Sequence, residues 1–239
     1  DDFDNWKQIE KAQLSENGAY LVYEYNPGNG DGKLVIVNVK TKVSDTIPRG
    51  YDAQINGKST FVSFKIKPEI AVRRKAETKK LKKEKLPIDS LGIFVFKTKE
   101  VKKYPSLKNF SQPTEGRDWL AYKTILKTVK AKDSAGVDKK IKVKPKSDTL
   151  VVIYNPINKD SIAFLNIKKF SWSKKADKLL LHSEKKKDSL TVSALLYFDA
   201  GSKKTDTIFK SKGTISKIAI EDKGEKLGFL FSSDTTKIK

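Results

Sequence analysis

Hydrophobic and polar residues alternate along short segments of this sequence, and polar turns separate one segment from the next. In residues 13–25, two alternating halves flank a tight turn at Asn17 and Gly18. Alternation with a period of two predicts β-strands with one buried face, and an Asn-Gly turn between two such strands predicts a hairpin. A loop rich in Gly and Asp leads to a third alternating segment at 32–41, and a short fourth follows at 43–47. The start of the chain therefore predicts four antiparallel strands in succession.

The same succession returns four more times along the chain. In each copy a polar turn joins two strands, and an aliphatic strand then ends in a second polar turn. The positions that we take as equivalent are Leu14, Ile55, Phe110, Phe170 and Ile218. A unit of about 40 residues with four antiparallel strands is typical of a β-propeller blade. The spacing between copies is unequal, which fits blades with loop insertions better than a strict solenoid. An ordinary β-sandwich with coincidental hairpins is the alternative fold.

The predicted fold is an all-β propeller with four full four-stranded blades, part of a fifth, and one short helical insertion. It is predicted to form a single, truncated domain over 1–239. The expected blades are 12–49, 50–106, 107–166, 167–210 and 211–239. The second-strand aromatics Tyr23, Phe64 and Tyr122 are expected to be buried between blades.

The incomplete fifth blade leads to an expectation about the chain ends. A propeller that stops within a blade leaves an open sheet edge, which proteins normally avoid. We therefore expect that the natural chain continues past Lys239, or that another segment such as the N-terminal strand completes the fifth blade. The absence of an initial Met and of an apolar leader indicates a processed or trimmed product.

Two basic insertions interrupt the β pattern. The first, 68–90, begins at Pro68 and is rich in Ala, Glu and Lys, which predicts a short helix. We expect it to lie against a blade through Ile70, Val72 and Leu81, or to be partly mobile. The second, 123–146, is rich in Lys, Val and Asp and predicts an extended hairpin or a mobile loop. Both are interpreted as solvated faces, with docking of an acidic partner as the alternative.

The sequence offers little catalytic chemistry. There is no cysteine, and the single histidine, His182, follows three leucines in a predicted strand, where a structural or surface role is expected. No Gly-x-Ser-x-Gly elbow occurs. The glycines of 28–32 lack the Lys-Ser/Thr and the helix of a phosphate loop, so they predict a turn. We therefore predict no catalytic, cofactor-binding or metal-binding residue, and the sequence leaves the substrate-binding residues unknown.

The net charge of +21 raises the question of nucleic acid. The basic residues are 46 lysines and only four arginines, Arg49, Arg73, Arg74 and Arg117. Because arginine is the residue that reads guanine edges, a specific nucleic-acid reader is not predicted. A solvated lysine surface is the favoured interpretation. A weak polyanion binder is an open alternative, and it would use Lys79, Lys80, Lys82, Lys83 and Lys85.

The segment from Trp6 to Asp118 resembles the propeller of prolyl oligopeptidase family serine peptidases, in the dipeptidyl-peptidase-like form of Bacteroidetes-type bacteria. The resemblance is carried by QLSENGAYLVY at 13–23, GDGKL at 30–34, TIPRG at 46–50, FKIKP at 64–68, DSLGI at 89–93 and WLAY at 119–122. In that family the propeller caps a C-terminal α/β-hydrolase domain that carries the serine, aspartate and histidine. No match to that domain occurs here, so no catalytic residue is carried over.

The resemblance implies a non-catalytic propeller that gates and orients peptide substrates for a hydrolase domain of the same protein. It also implies export to the periplasm or the cell surface. Paired glutamates that hold a substrate amine in some relatives are not found. No membrane span is predicted, since no apolar run approaches the required length. The alternative function is a stand-alone periplasmic propeller that binds other proteins.

Overall fold

The computed structural model describes residues 6–82, 85–125, 149–187 and 190–233. These residues form four four-stranded antiparallel sheets and one two-stranded sheet, each from consecutive strands. Sheet 1 contains β1 (Lys7–Leu14), β2 (Tyr20–Pro27), β3 (Lys33–Asn38) and β4 (Ser44–Pro48). Sheet 2 contains β5 (Gly50–Ile55), β6 (Phe61–Ile66), β7 (Ser90–Val95) and β8 (Glu100–Tyr104).

The remaining sheets continue the same order. Sheet 3 contains β9 (Leu107–Ser111), β10 (Leu120–Ile125), β11 (Thr149–Tyr154) and β12 (Ser161–Leu165). Sheet 4 contains β13 (Ile167–Trp172), β14 (Lys178–Lys187), β15 (Leu190–Asp199) and β16 (Lys204–Lys212). Sheet 5 contains β17 (Thr214–Ile220) and β18 (Leu227–Ser232). The predicted fold class is confirmed: four full blades, the first hairpin of a fifth, and one short helix.

The hydrophobic core lies between successive sheets. Four clusters of buried side chains occur, and each cluster takes its members from two neighbouring sheets. Phe64 of β6 packs with sheet 1, whereas Phe61 of the same strand packs with sheet 3, because neighbouring residues in a strand point to opposite faces. Full burial of a side chain of this size contributes roughly 1.5–3 kcal/mol. Packing of one sheet on the next therefore holds the array together.

Two of the three second-strand aromatic residues are buried between blades, as the sequence predicts. Phe64 and Tyr122 are buried, as predicted, but Tyr23 is only half-buried. On β2 the fully buried residues are Val22 and Glu24, on the face opposite to Tyr23. Sheet 1 therefore turns its aliphatic face, and not Tyr23, toward sheet 2.

The turns between the first and second strands, here called first-hairpin turns, repeat one hydrogen-bonding scheme. In the first sheet the backbone amide and side-chain oxygen of Ser15 both bond to the backbone of Tyr20. Asn56 and Ser173 make the equivalent pair of bonds in sheets 2 and 4. The side-chain oxygen caps an amide that the turn would leave without a partner. These turns are therefore specified locally.

The N-terminal strand has a definite position, and it is not the one offered in the sequence analysis. Strand β1 pairs with β2 along its length, from Lys7 opposite Pro27 to Leu14 opposite Leu21. The expectation that the N-terminal strand completes the fifth blade is thus wrong. Strand β1 instead supplies the first strand of sheet 1.

The first insertion forms helix α1 (Ile70–Thr78). Its first turn is fixed by Asp31, whose carboxylate accepts hydrogen bonds from the Ile70 amide and from Arg73. Val72 is 47% exposed, and the buried residue of the helix is Ala76. The helix therefore has a polar anchor on Asp31, and of the predicted apolar contacts only that of Val72 is wrong, since Ile70 and Leu81 are half-buried. Of the second insertion, Lys123 to Ile125 belong to β10, and 126–148 lie outside the described residues.

Candidate functional site

Every first strand of a sheet contains a β-bulge. The irregularities lie in the pairings β1–β2, β5–β6, β9–β10, β13–β14 and β17–β18. A bulge inserts one extra residue and redirects the side chains beside it. In sheets 3, 4 and 5 the result is a pair of consecutive exposed residues on the first strand, Lys108-Asn109, Lys168-Lys169 and Ser216-Lys217.

These bulged strands lie on the inner side of the array. The first strands contact each other directly in two pairs of neighbouring sheets, β1 with β5 and β13 with β17. In a propeller the strands in this position line the central channel. The consecutive polar residues therefore face the channel side, where a ligand would approach.

An open pocket of about 750 Å³ occupies this side of sheets 3, 4 and 5. Its volume lies within the range of roughly 300–1,000 Å³ that is common for ligand sites. Its polar lining comes from Asn109, Lys168, Lys169, Ser171 and Lys217, and its apolar lining from Phe170, Ile218, Ala219, Phe229 and Leu230, with Gly228 between them. The pocket joins residues from three blades that are far apart in the sequence.

The charged groups of this pocket, hereafter the basic pocket, are all lysines. Lys168 pairs with Glu184 at 2.6 Å, and the Lys169 ammonium donates a hydrogen bond of 2.8 Å to the Ser216 carbonyl. Lys217 makes no ion pair or hydrogen bond through its side chain within the described part of the chain. The pocket therefore holds more positive charge than its own carboxylates neutralise.

A further lysine lies behind this surface. Lys123 of β10 donates a hydrogen bond of 3.3 Å to the Lys168 carbonyl. Burial lowers the pKa of Lys123, and the nearby positive charge of Lys108 lowers it further. The lowered pKa therefore reflects the burial of Lys123 first and the single neighbouring charge of Lys108 second.

The candidate residues of the sequence analysis lie elsewhere. His182 is fully buried in β14, opposite Leu195, at the interface of sheets 4 and 5. Neither ring nitrogen has a hydrogen-bond partner in the described ranges, and burial lowers the pKa of His182. Such a buried ring is not available to a substrate in this arrangement.

The described lysines proposed for polyanion binding all follow the end of helix α1. Lys79 and Lys80 follow α1 directly, Lys82 and Lys85 lie in the segment after it, and Lys83 lies outside the described residues. The Gly/Asp-rich loop connects β2 to β3, and its Asp31 anchors α1. The loop thus acts as a structural support in this structure.

The basic pocket was missed by sequence reasoning, although a signal for it exists. The first strands of sheets 3, 4 and 5 read Leu-Lys-Asn-Phe at 107–110, Ile-Lys-Lys-Phe at 167–170 and Ile-Ser-Lys-Ile at 215–218. Two polar residues between two apolar ones break the period of two, and a bulge restores both apolar residues to the core side. The repeated apolar-polar-polar-apolar pattern therefore marks the bulges.

The described residues contain neither a metal cluster nor a membrane-spanning helix. No group of three His, Asp or Glu side chains suited to a metal ion occurs in the ranges that the structure covers. Within the same ranges, no helix has the length and apolar character to cross a membrane.

Several solved structures resemble this chain at low sequence identity. The β-propeller domain of the Trilobed protease from Pyrococcus furiosus aligns with 91% of this chain and 61% of its own, at 13% identity and a TM-score of 0.50. A eukaryotic initiation factor aligns with 95% and 50%, at 10% identity and a TM-score of 0.54. The chain thus spans less than two thirds of either structure. No protein-family model and no curated protein matches the sequence.

Acylaminoacyl peptidase from Pyrococcus horikoshii is also similar, over 94% of this chain and 35% of its own, at 10% identity and a TM-score of 0.49. At these identities the similarities establish the β-propeller fold alone. This chain is thus similar to the propeller domain of one protease and also to an initiation factor.

Proposed function

We propose that this chain is the propeller part of a serine peptidase of the prolyl oligopeptidase family. In this role it gates and orients peptide substrates for an α/β-hydrolase domain of the same protein. The observation that carries the proposal is the likeness to the Trilobed protease propeller over 91% of the chain. The sequence stretches between Trp6 and Asp118 point to the same family independently.

The exposed apolar side chains support a larger propeller. On β1, Ile9 and Leu14 are 64% and 62% exposed. On β18, Leu230 is 58% exposed and Phe231 is 36% exposed. These two strands belong to the terminal sheets of the array, whereas sheets 2, 3 and 4 each contribute to two core clusters. We propose that further β-structure covers both ends and closes the ring.

The proposed gating role makes a testable distinction between substrates. A propeller over an active site admits short peptides and excludes folded or long chains. The test is hydrolysis by the product of the complete gene, with a labelled pentapeptide and with a denatured protein of more than one hundred residues as substrates. Preferential cleavage of the pentapeptide supports the proposal. No cleavage of either substrate, or equal cleavage of both, would contradict it.

The second candidate is a stand-alone propeller that binds proteins. The TM-score of 0.54 with the initiation factor favours it, because that similarity is at least as high as the one to the protease propeller. This candidate requires no hydrolase sequence in the gene. It also requires a ring closed without a hydrolase domain, which small-angle scattering of the gene product would detect.

Weak polyanion binding is a further proposal, and it is the easiest to exclude. Binding through the lysines after α1 would weaken steeply between about 50 and 200 mM salt, because counterions are released from the polyanion. Binding of a labelled oligonucleotide that does not change over that range of salt would rule out this proposal.

Export to the periplasm or the cell surface is also proposed, from the family resemblance. Fractionation of source cells tests this localisation.

A further inference from the structure

The basic pocket has the chemistry of a site for a carboxylate beside an apolar group. Lys169 and Lys217 lie at consecutive bulges of β13 and β17, and Asn109 adds an amide from β9. No carboxylate is among the lining residues of this pocket in the described chain. Ammonium groups with an amide donor are suited to bind carboxylate oxygens through charge-assisted hydrogen bonds.

The side chains of the pocket are available to a ligand to different degrees. Lys168 is already paired with Glu184, whose side chain is only 13% exposed. Lys217 and Asn109 make no side-chain hydrogen bond or ion pair in the described residues. Lys169 bonds to a backbone carbonyl, and its remaining two protons are free to donate. Lys169, Lys217 and Asn109 are therefore the groups that a carboxylate would meet.

The apolar part of the pocket decides which carboxylate fits. Phe170, Ile218 and Phe229 line the pocket next to the lysines, and Leu230 extends this surface outward. Inorganic phosphate and nucleic-acid backbones have no apolar group that could pack against such a surface. The last residue of a peptide offers both groups at one Cα atom, a free carboxylate and an apolar side chain. An internal Glu or Asp offers the carboxylate without the apolar group.

We propose that the basic pocket binds the free carboxyl terminus of a peptide that ends in an apolar residue. The carboxylate contacts Lys169, Lys217 and Asn109, and the terminal side chain packs against Phe170, Ile218 and Phe229. The pocket volume of about 750 Å³ accommodates a few residues of such a peptide. This inference rests on the proposed function, since it names the feature of a peptide substrate that the propeller would recognise.

The test uses the full chain and a peptide labelled with fluorescein at its N-terminus, Gly-Ser-Gly-Ala-Phe, measured by fluorescence anisotropy at 50 mM salt. The same peptide with a C-terminal amide lacks the charge. A third peptide, Gly-Glu-Gly-Ala-Phe amide, carries an internal carboxylate. We expect the free acid to bind about tenfold more tightly than either amide, because it alone presents a carboxylate beside the terminal apolar side chain.

The variant Lys169→Gln/Lys217→Gln is expected to bind the free acid no more tightly than the amide. Its matched control is Lys210→Gln/Lys212→Gln, which removes the same charge from exposed positions of β16 and is expected to retain the preference. Circular dichroism verifies that both variants fold. Replacing the terminal Phe by Gly is expected to weaken binding severalfold, because the apolar contact is lost.

Three outcomes would overturn the inference. The first is equal binding of the acid and the amide. The second is an equal loss in the control variant, which would show a net-charge effect. The third is tighter binding of a labelled oligonucleotide with the same dependence on Lys169 and Lys217, which would show a polyanion site. Because this assay needs no hydrolase domain, its failure leaves peptide hydrolysis by the complete gene product untouched, and the reverse also holds.

Discussion

The carboxylate of Asp177 accepts a hydrogen bond of 2.5 Å from the backbone amide of Arg117, which joins the first-hairpin turns of sheets 4 and 3. Equivalent positions in the two preceding turns make equivalent contacts. Asp118 accepts hydrogen bonds from the Asn56 amide group and the Thr60 hydroxyl, and the Ser59 hydroxyl accepts one from the Asn17 amide. Each turn thus contacts the turn of the blade before it.

This relationship predicts that the variant Asp177→Ala destabilises the protein. The Arg117 amide would lose this acceptor, and a hydrogen bond of this kind contributes a net stabilisation of roughly 0.5–1.5 kcal/mol. Urea unfolding followed by circular dichroism measures the change. The control is Asp206→Ala on the exposed strand β16, for which no comparable loss is expected. Equal stability of the two variants would contradict the role of the turn contacts.

His182 predicts a dependence of stability on pH. Burial lowers its pKa below the value of about 6.5 that the unfolded chain has, while Glu184 raises it and Lys168 and Lys169 lower it. Above about pH 6.5 the ring is neutral in both states and carries no penalty. As the pH falls below that value, the unfolded chain binds the proton first, so the free energy of unfolding decreases until the folded pKa is reached.

The variant His182→Leu is expected to lose this dependence, because leucine does not titrate and its neighbour Leu195 is apolar. The measurement is thermal unfolding of both proteins between pH 8 and pH 5. The difference between them gives the contribution of His182 to the pH dependence, because both proteins contain the same carboxylates. A difference between the two proteins that stays constant over this range would show that His182 does not behave as a buried neutral ring.

Gly92 lies opposite Phe64 on neighbouring strands, and a Cβ atom there would meet the aromatic ring. Since Phe64 is fully buried, the variant Gly92→Ala is expected to lose roughly 1–3 kcal/mol through overpacking. Gly228→Ala is the matched control, because a Cβ atom at Gly228 meets nothing within 4 Å. Thermal unfolding of both variants gives the comparison. The double variant Gly92→Ala/Phe64→Leu is expected to regain part of the lost stability, because leucine at position 64 leaves more room for the new Cβ atom.

The anchor of helix α1 predicts a local effect. The variant Asp31→Ala removes the acceptor of the Ile70 amide and of Arg73, so the insertion is expected to be cleaved faster by trypsin. The melting temperature should change little, since α1 buries only Ala76. Glu69→Ala, which affects an exposed ion pair with Arg49, is the control and should be cleaved as slowly as the unaltered protein.

The local features of the fold could be predicted from the sequence, because they depend on neighbouring residues. Strand alternation and the polar turns around Ser15, Asn56 and Ser173 are of this kind. Leu14, Ile55, Phe110, Phe170 and Ile218 are each the second paired residue after the bulge of their strand. In sheets 4 and 5, two more residues separate the bulge from the turn than in sheet 1, because Trp172 and Ile220 lie opposite Leu179 and Leu227 as Leu14 lies opposite Leu21.

The long-range features could not be predicted, because they depend on how the blades meet. The basic pocket joins Asn109, Lys169 and Lys217, which come together only when sheets 3, 4 and 5 pack side by side. The polar anchor of α1 on Asp31 is a second case, since the apolar positions of the helix indicated a different contact. Sequence patterns identified the strands, and inter-sheet packing determined the site.

The sequence of the source gene beyond the codon for Lys239 tests the central claim most directly. The account predicts a reading frame that continues through further propeller strands into a Gly-x-Ser-x-Gly elbow, followed by an Asp and then a His. A frame that stops near Lys239, or that continues without the elbow, would contradict the assignment to a serine peptidase. It would leave the protein-binding propeller as the function that the structure supports.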